Sequence, residues 1–349
     1  MIMRNFIIYV AALLFPVFVG MACVNFIVDP GHIYSSNYIE KVVEGARRGL
    51  NVTNVSDMDE RIFKKKLIES NKGKQFDYVV FGSSRVMTIS GDCLKGKSVL
   101  NVGVSGSKLE DMIALYQICI ENDITFKNVI IGADPTLFNA NDMDTRWEAI
   151  GSYYYAYEGN EVGNAERRYK ITLFKNLFSP SYFKNAIKNI PKFLAANEQI
   201  KYVKTYKNVG ATKRPDGSIY YAKDYCEVPQ SWIDNDAESC LHGSFSNFNS
   251  FSEDRKGLFE EFINSLHATG ANIYIWCCPY HPLFYKRAMK MTGIPPSIKY
   301  IKTFAKNKGF TIIGSFNPKE VGLTNRDFHD GFHVRKEAVD QLILNCHEL

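Results

Sequence analysis

Ser84, Asp330 and His333 are the residues of this 349-residue chain whose types and settings can do chemistry together. Ser84 sits in Val79-Val80-Phe81-Gly82-Ser83-Ser84-Arg85, where an apolar run breaks into small residues. Asp330-Gly331-Phe332-His333 places an acid and an imidazole three residues apart near the other end. A serine hydroxyl is a poor nucleophile until a base takes its proton, and that base needs a partner to fix its tautomer. His333 can be the base and Asp330 the partner, which makes acyl transfer through Ser84 the chemistry to test. The developing oxyanion needs preorganised donors, each worth about 3 kcal/mol. The backbone N–H of Ser84 and the amide of Gly106 are the candidates, glycine allowing close backbone approach.

Arg85, Asp134 and His281 are candidate substrate-side groups. Each has a plainer reading as well. Arg85 could bind an anionic group or pair with a carboxylate such as Asp134, and His281 could be a loop residue between Tyr280 and Pro282. Gly-Ser-Ser is a common turn, and Asp-x-x-His is often a helix cap beside a surface histidine. Specificity comes from the order of these elements and from where the strands end.

Residues 76–82 read as a buried strand, 98–102 as a second running into Gly103-Val104-Ser105-Gly106, and 128–132 as a third ending at Ala133-Asp134-Pro135. Alternation then stops and resumes with a helix over 252–269 that Ser252 can cap. Strands over 272–278 and 310–315 follow, with helices near 296–308 and 335–346. The expected fold is α/β: a doubly wound, mostly parallel five-stranded sheet interrupted by a large, partly helical insertion. Right-handed crossovers gather the carboxyl ends of the strands on one edge. Ser84, residues 103–106, Asp134, His281 and the loop with Asp330 and His333 all fall there. The expected division is an anchor over 1–29, a polar, partly helical lead-in over 30–74, an α/β domain over 75–135 and 250–349, and an insertion over 136–249. Lys64-Lys65-Lys66 reads as a solvated helix face. Tyr153-Tyr154-Tyr155 could stack on sugar rings or fold over a core.

Phe6 to Val28 is uncharged and apolar, interrupted only by Pro16, Gly20 and Asn25, and is long enough to cross a hydrocarbon layer of about 30 Å. Arg4 and the amino terminus precede it, so the positive-inside rule puts the N-terminus in the cytoplasm and the body outside. A cleaved signal peptide is the competing reading. The 42 basic and 37 acidic residues are interspersed and no run forms a basic arm, which gives no case for nucleic-acid binding. The eight cysteines form no Cys-x-x-Cys pair and no Cys/His spacing suits zinc, so neither metal nor cofactor is expected. Cys226 and Cys240 flank a polar loop and could bridge in an oxidising compartment.

Gly82-Ser83-Ser84, Asn101-Val102-Gly103-Val104-Ser105-Gly106 and Asp330-Gly331-Phe332-His333 together resemble the blocks of the SGNH (GDSL-like) hydrolase superfamily. A Ser-Ser version behind one N-terminal anchor is similar to the branch with the lipoteichoic-acid D-alanylation protein D and accessory proteins of polysaccharide O-acetylation. The resemblance covers strands one to three and the C-terminal third. It implies Ser84 as nucleophile, Gly106 as oxyanion glycine, a cell-surface glycan as substrate, and a multi-pass membrane acyltransferase as acyl supplier. One departure stands out. The third block reads Gly132-Ala133-Asp134, so Ala133 occupies the place of the usual oxyanion asparagine, and a donor must come from elsewhere, for example Asn139.

The expectation is thus a membrane-anchored extracytoplasmic acyltransferase or esterase acting through acyl-Ser84, most simply with acetyl groups. A non-catalytic SGNH-fold binding or scaffold protein is the alternative, and a plain secreted esterase a third reading.

Overall fold

The computed structural model describes residues 2–159, 163–195, 200–205, 211–221, 223–239, 245, 247–346 and 349. The first helix, α1 (Ile2–Val28), is a single apolar rod, and its stretch Ile8–Val28 is long and apolar enough to cross a membrane. Its side chains are exposed over most of its length.

The lead-in carries α2 (Ser36–Arg47), β1 (Asn51–Thr53) and α3 (Glu60–Glu69). Asp59 caps α3 by accepting from the N–H groups of Arg61 and Ile62. The expectation of a solvated lysine face on α3 is corrected at Lys64. That side chain is fully buried and its Nζ donates to the carbonyls of Asn101 (2.8 Å) and Gly217 (2.6 Å). A buried ammonium needs such acceptors, and only the tertiary fold supplies them. Arg61 on the same helix makes a buried two-pronged pair with Asp111.

Then come β2 (Gln75–Phe81), β3 (Val99–Asn101), α4 (Leu109–Glu121) and β4 (Thr125–Gly132). The following segment holds α5 (Gly151–Tyr157), α6 (Gly163–Leu177), α7 (Pro180–Ala195), β5 (Lys201–Val203), β6 (Thr212–Lys213), β7 (Ile219–Tyr220), α8 (Lys223–Cys226) and α9 (Gln230–Ser239). The chain ends with α10 (Glu253–Ala268), β8 (Asn272–Cys277), α11 (Pro282–Ala288), α12 (Ile294–Lys308), β9 (Thr311–Gly314) and α13 (Lys336–Leu344). Ser252 caps α10 through the N–H of Arg255, as its position in the sequence suggested.

The main sheet has the order β3-β2-β4-β8-β9 and is parallel throughout. In chain order this is 2-1-3-4-5, a doubly wound arrangement whose direction of winding reverses at β2. Both faces are buried, which is why its strands read as continuous apolar runs rather than alternating ones. Val79, Phe81, Val129, Ile131, Ile273 and Ile275 join the core with α4, α10 and α12. Their neighbours Tyr78, Val80, Ile130, Tyr274 and Trp276 face the other layer, built from α13 and the segment after β2.

A second, antiparallel sheet of order β5-β1-β6-β7 was not foreseen. It pairs two- and three-residue strands from the lead-in and the long insertion. Strands so short leave no periodic signature, and the pairing of β1 with β5 joins residues about 150 apart in the chain. The Tyr153–Tyr155 run lies on α5, where Tyr154 is buried and Trp147 joins it and Tyr155 in an aromatic cluster. The expected bridge between Cys226 and Cys240 lies outside the described residues.

Candidate active site

At the carboxyl end of β2 the chain turns directly into a short 3-10 helix, Ser84–Val86. This turn points its two serines in different directions. Ser83 Oγ donates to Asp134 Oδ2 and accepts from the N–H of Arg85, whereas Ser84 Oγ lies 2.8 Å from His333 Nε2. His333 Nδ1 in turn lies 2.7 Å from Asp330 Oδ2. With Nδ1 protonated toward Asp330, Nε2 is left as an acceptor for the Ser84 hydroxyl.

Asp330 is held by its own loop. Its Oδ1 accepts from the N–H groups of Phe332 (2.8 Å) and His333 (2.6 Å), and a bridge between Phe328 and Val334 closes the loop. Burial pushes the Asp330 carboxyl up, but the hydrogen bond and charge of His333 outweigh it and hold it well below the usual range. Asp330 is therefore held as a carboxylate anion against the His333 ring. The turn is fastened from outside by α9, since Gly331 N–H donates to Asp236 Oδ2 at 2.8 Å. A side chain at Gly331 would overlap the backbone of Ala237.

Among the described residues, neither the Ser84 nor the Gly106 N–H donates an intramolecular hydrogen bond, while those of Ser105 and Ser107 are engaged by Glu60 and Val104. Gly106 adopts φ +60, and a methyl there would overlap the Arg146 guanidinium, which sits over this turn. The turn is tied to the serine loop by Asn101, whose Nδ2 donates to Val86 O and Ile89 O, both at 2.8 Å.

Three expected substrate-side groups are instead committed inside the protein. The buried Arg85 guanidinium donates to Asp134 Oδ1 at 2.6 Å and to the carbonyls of Cys278 and Pro279. It lies over the rings of both Tyr280 (4.2 Å) and Phe332 (4.7 Å). Asp134 is taken up by Arg85 and Ser83 together. His281 is buried, caps α11 by accepting from Leu283 N–H through Nδ1, and has Nε2 3.4 Å from Asp234. The Ala133 N–H bonds Trp276 O, and Asn139 is buried with its Oδ1 accepting from Asn141 N–H, so neither lines the site.

Sequence reasoning missed His329, Tyr221 and Arg146. The His329 ring stacks nearly parallel to that of His333, with centroids 5.7 Å apart, and burial lowers its pKa to about 4. It is thus a neutral ring stacked beside His333. His329, Asp330 and His333 are grouped closely enough for a metal, but both nitrogens of His333 already have partners. Tyr221, from the insertion, contacts His329 and lines both the narrow cleft at Ser84 and a neighbouring cavity of about 680 Å³. That cavity is also walled by Glu60, Arg61, Ser105, Arg146, Lys213 and Tyr169. Glu60 and Arg61 come from the lead-in and Arg146, Tyr169, Lys213 and Tyr221 from the insertion, where no local pattern marked them.

A family model described as protein of unknown function (DUF1574) matches residues 7–343. The chain belongs to this family. No curated protein matches it significantly. The DUF1574 match runs from within α1 into the last helix, so most of α1, the insertion and the Ser84–His333 pairing fall inside one family unit.

Proposed function

We propose that the chain is a membrane-anchored, extracytoplasmic serine acyltransferase or esterase of SGNH type, acting on acyl groups, acetyl foremost, of a cell-envelope glycan. The observation that carries this reading is the unbroken hydrogen-bond chain from Ser84 Oγ through His333 to the anionic Asp330. In the reaction, His333 Nε2 takes the Ser84 proton as Oγ bonds to the acyl carbonyl carbon. The carbonyl oxygen becomes an oxyanion between the Ser84 and Gly106 N–H groups, with the Arg146 charge beside the latter. His333 then protonates the leaving group as it departs, leaving acyl-Ser84. A glycan hydroxyl or water, deprotonated by His333, attacks the ester and restores Ser84. The resemblance assigns the acyl supply to a multi-pass membrane acyltransferase that α1 keeps nearby, with the N-terminus cytoplasmic.

A second reading, a glycan-binding or scaffold protein on the same fold, is favoured by Ala133, which brings no side-chain donor where hydrolases of this type use asparagine. Losing one such donor costs about a hundredfold or more in turnover. One experiment decides between them. The full-length chain in detergent is treated with a fluorophosphonate probe and assayed on p-nitrophenyl acetate. Labelling of wild type that disappears in Ser84→Ala and falls in His333→Ala supports acyl chemistry. Equal behaviour of all three proteins rejects it.

A further inference from the structure

We infer that the hairpin of α6 and α7 is a second membrane contact, seated in the headgroup layer of an anionic bilayer beside the point where α1 emerges. The inference rests on α1 spanning the membrane, as proposed above.

The hairpin is bonded to the end of that helix. Asn25, fully buried, donates through Nδ2 to Leu177 O (2.9 Å), Asn176 O (3.3 Å) and Ser179 O (3.4 Å), the carbonyls of the turn between α6 and α7. Tyr182 OH donates to Asp29 Oδ1 at 2.7 Å and accepts from Gly31 N–H, and Tyr34 OH donates to Leu173 O. Both α6 and α7 pack against α1 itself. Wherever α1 leaves the hydrocarbon layer, this hairpin is at that level.

Its outward chemistry suits an interface. Phe174 (62 % exposed) and Leu194 (73 %) are bare, with Ile171, Ile187 and Phe193 beside them. Ile187 and Leu194 are seven apart and fall on one stripe of α7. Exposed Arg167, Lys170, Lys175, Lys184 and Lys188 accompany these residues, and residues 163–195 hold seven basic side chains against one acidic, Glu166. Apolar side chains among lysines and arginines are the composition of interfacial helices on anionic lipid. A protein partner fits less well, since lysine is depleted at protein–protein interfaces.

The placement bears on the cavity. The inward face of α6, with Tyr169, Thr172, Leu173 and Asn176, walls the 680 Å³ cavity together with Gly31 and Ile33 at the foot of α1, and Ser105 and Tyr221 beside the serine site. A seated hairpin sets this cavity next to the lipid surface, so that its ligand is presented from the membrane side.

The test uses the full-length chain in vesicles of anionic lipid with brominated acyl chains, which quench tryptophan on contact. Phe174→Trp and Leu194→Trp report on the hairpin, Phe15→Trp on α1, and Ile120→Trp on an exposed position of α4 away from the anchor. Wild type gives the background of the native tryptophans. The expected result is a loss of emission at 174 and 194 clearly greater than at 120, reduced when the lipid is zwitterionic. Quenching at 15 with none at 174 or 194 overturns the inference while leaving the anchor intact. Absence of quenching at 15 removes the anchor reading itself and the inference with it. Crosslinking of 174 or 194 to a second copy without quenching assigns the face to protein and overturns the lipid contact.

Discussion

Gly331 donates its backbone N–H to Asp236 Oδ2 at 2.8 Å, so the turn that separates the acid from the base is bonded to a helix of the insertion. Gly331→Ala would drive a methyl into the backbone of Ala237 and shift His333 relative to Ser84. Overpacking of this kind costs about 1–3 kcal/mol, and misplacing a reacting group by 1 Å can cost about a hundredfold in rate. We expect p-nitrophenyl acetate turnover to fall by that order while the protein still folds. Near-wild-type turnover in a folded variant would show that α9 does not position the loop.

The two serines of the turn make separable predictions. Ser84→Ala removes the proposed nucleophile, and turnover should drop by a factor on the order of 10⁶. Ser83→Ala removes a donor to Asp134 and the acceptor of the Arg85 N–H, which should cost about 1–3 kcal/mol of stability and leave probe labelling in place. Mass spectrometry of the labelled peptide distinguishes the sites, and an adduct on Ser83 contradicts the assignment.

Arg85 couples the serine turn to the histidine loop through Asp134 on one side and Phe332 on the other. Removing one partner of a buried pair typically destabilises by about 3–5 kcal/mol, because the other charge is left uncompensated. Thermal melts of Arg85→Ala, Asp134→Ala and the double variant check this. The double variant should lose clearly less than the sum of the singles, and simple additivity would show that the pair is not coupled.

Acid should destabilise the fold through His329. Its folded pKa is lowered from 6.5 to about 4 by burial, so between those values the unfolded chain binds a proton that the folded one does not. Stability therefore falls as pH drops from about 6.5 toward 4, by about 3 kcal/mol in all for this group. His281, also lowered by burial, acts in the same direction, whereas Asp330 adds its loss only at lower pH. Melting temperature followed from pH 7.5 to 4 should show a shallower decline in His329→Gln. An unchanged slope would mean that His329 is not held neutral in the fold.

The strands β2, β3, β4, β8 and β9 were legible because a parallel sheet buried on both faces must be written as apolar runs that end at turn residues. The Ser83–Ser84 turn and the Asp330–His333 loop were legible for a related reason. Each is a local motif, and Asp330 captures the N–H groups of Phe332 and His333 only two and three residues away. Both the α/β class and the candidate triad residues follow from such short-range patterns.

What local sequence could not specify is which polar groups are enclosed and by what. Arg85 and His281 look like exposed functional side chains until Tyr280, Phe332 and Asp234 close around them, and Lys64 looks solvated until Asn101 and Gly217 offer their carbonyls. The packing of Tyr221 and Tyr225 on His329, the position of Arg146 over Gly106 and the clamp from Asp236 all join residues far apart in the chain. Burial and desolvation depend on the whole fold, whereas capping, turns and strand burial depend on a few neighbours. The sequence by itself therefore determined the residues able to do the chemistry and the sheet edge that holds them, and the tertiary structure alone decided which of them face one another and which are locked away.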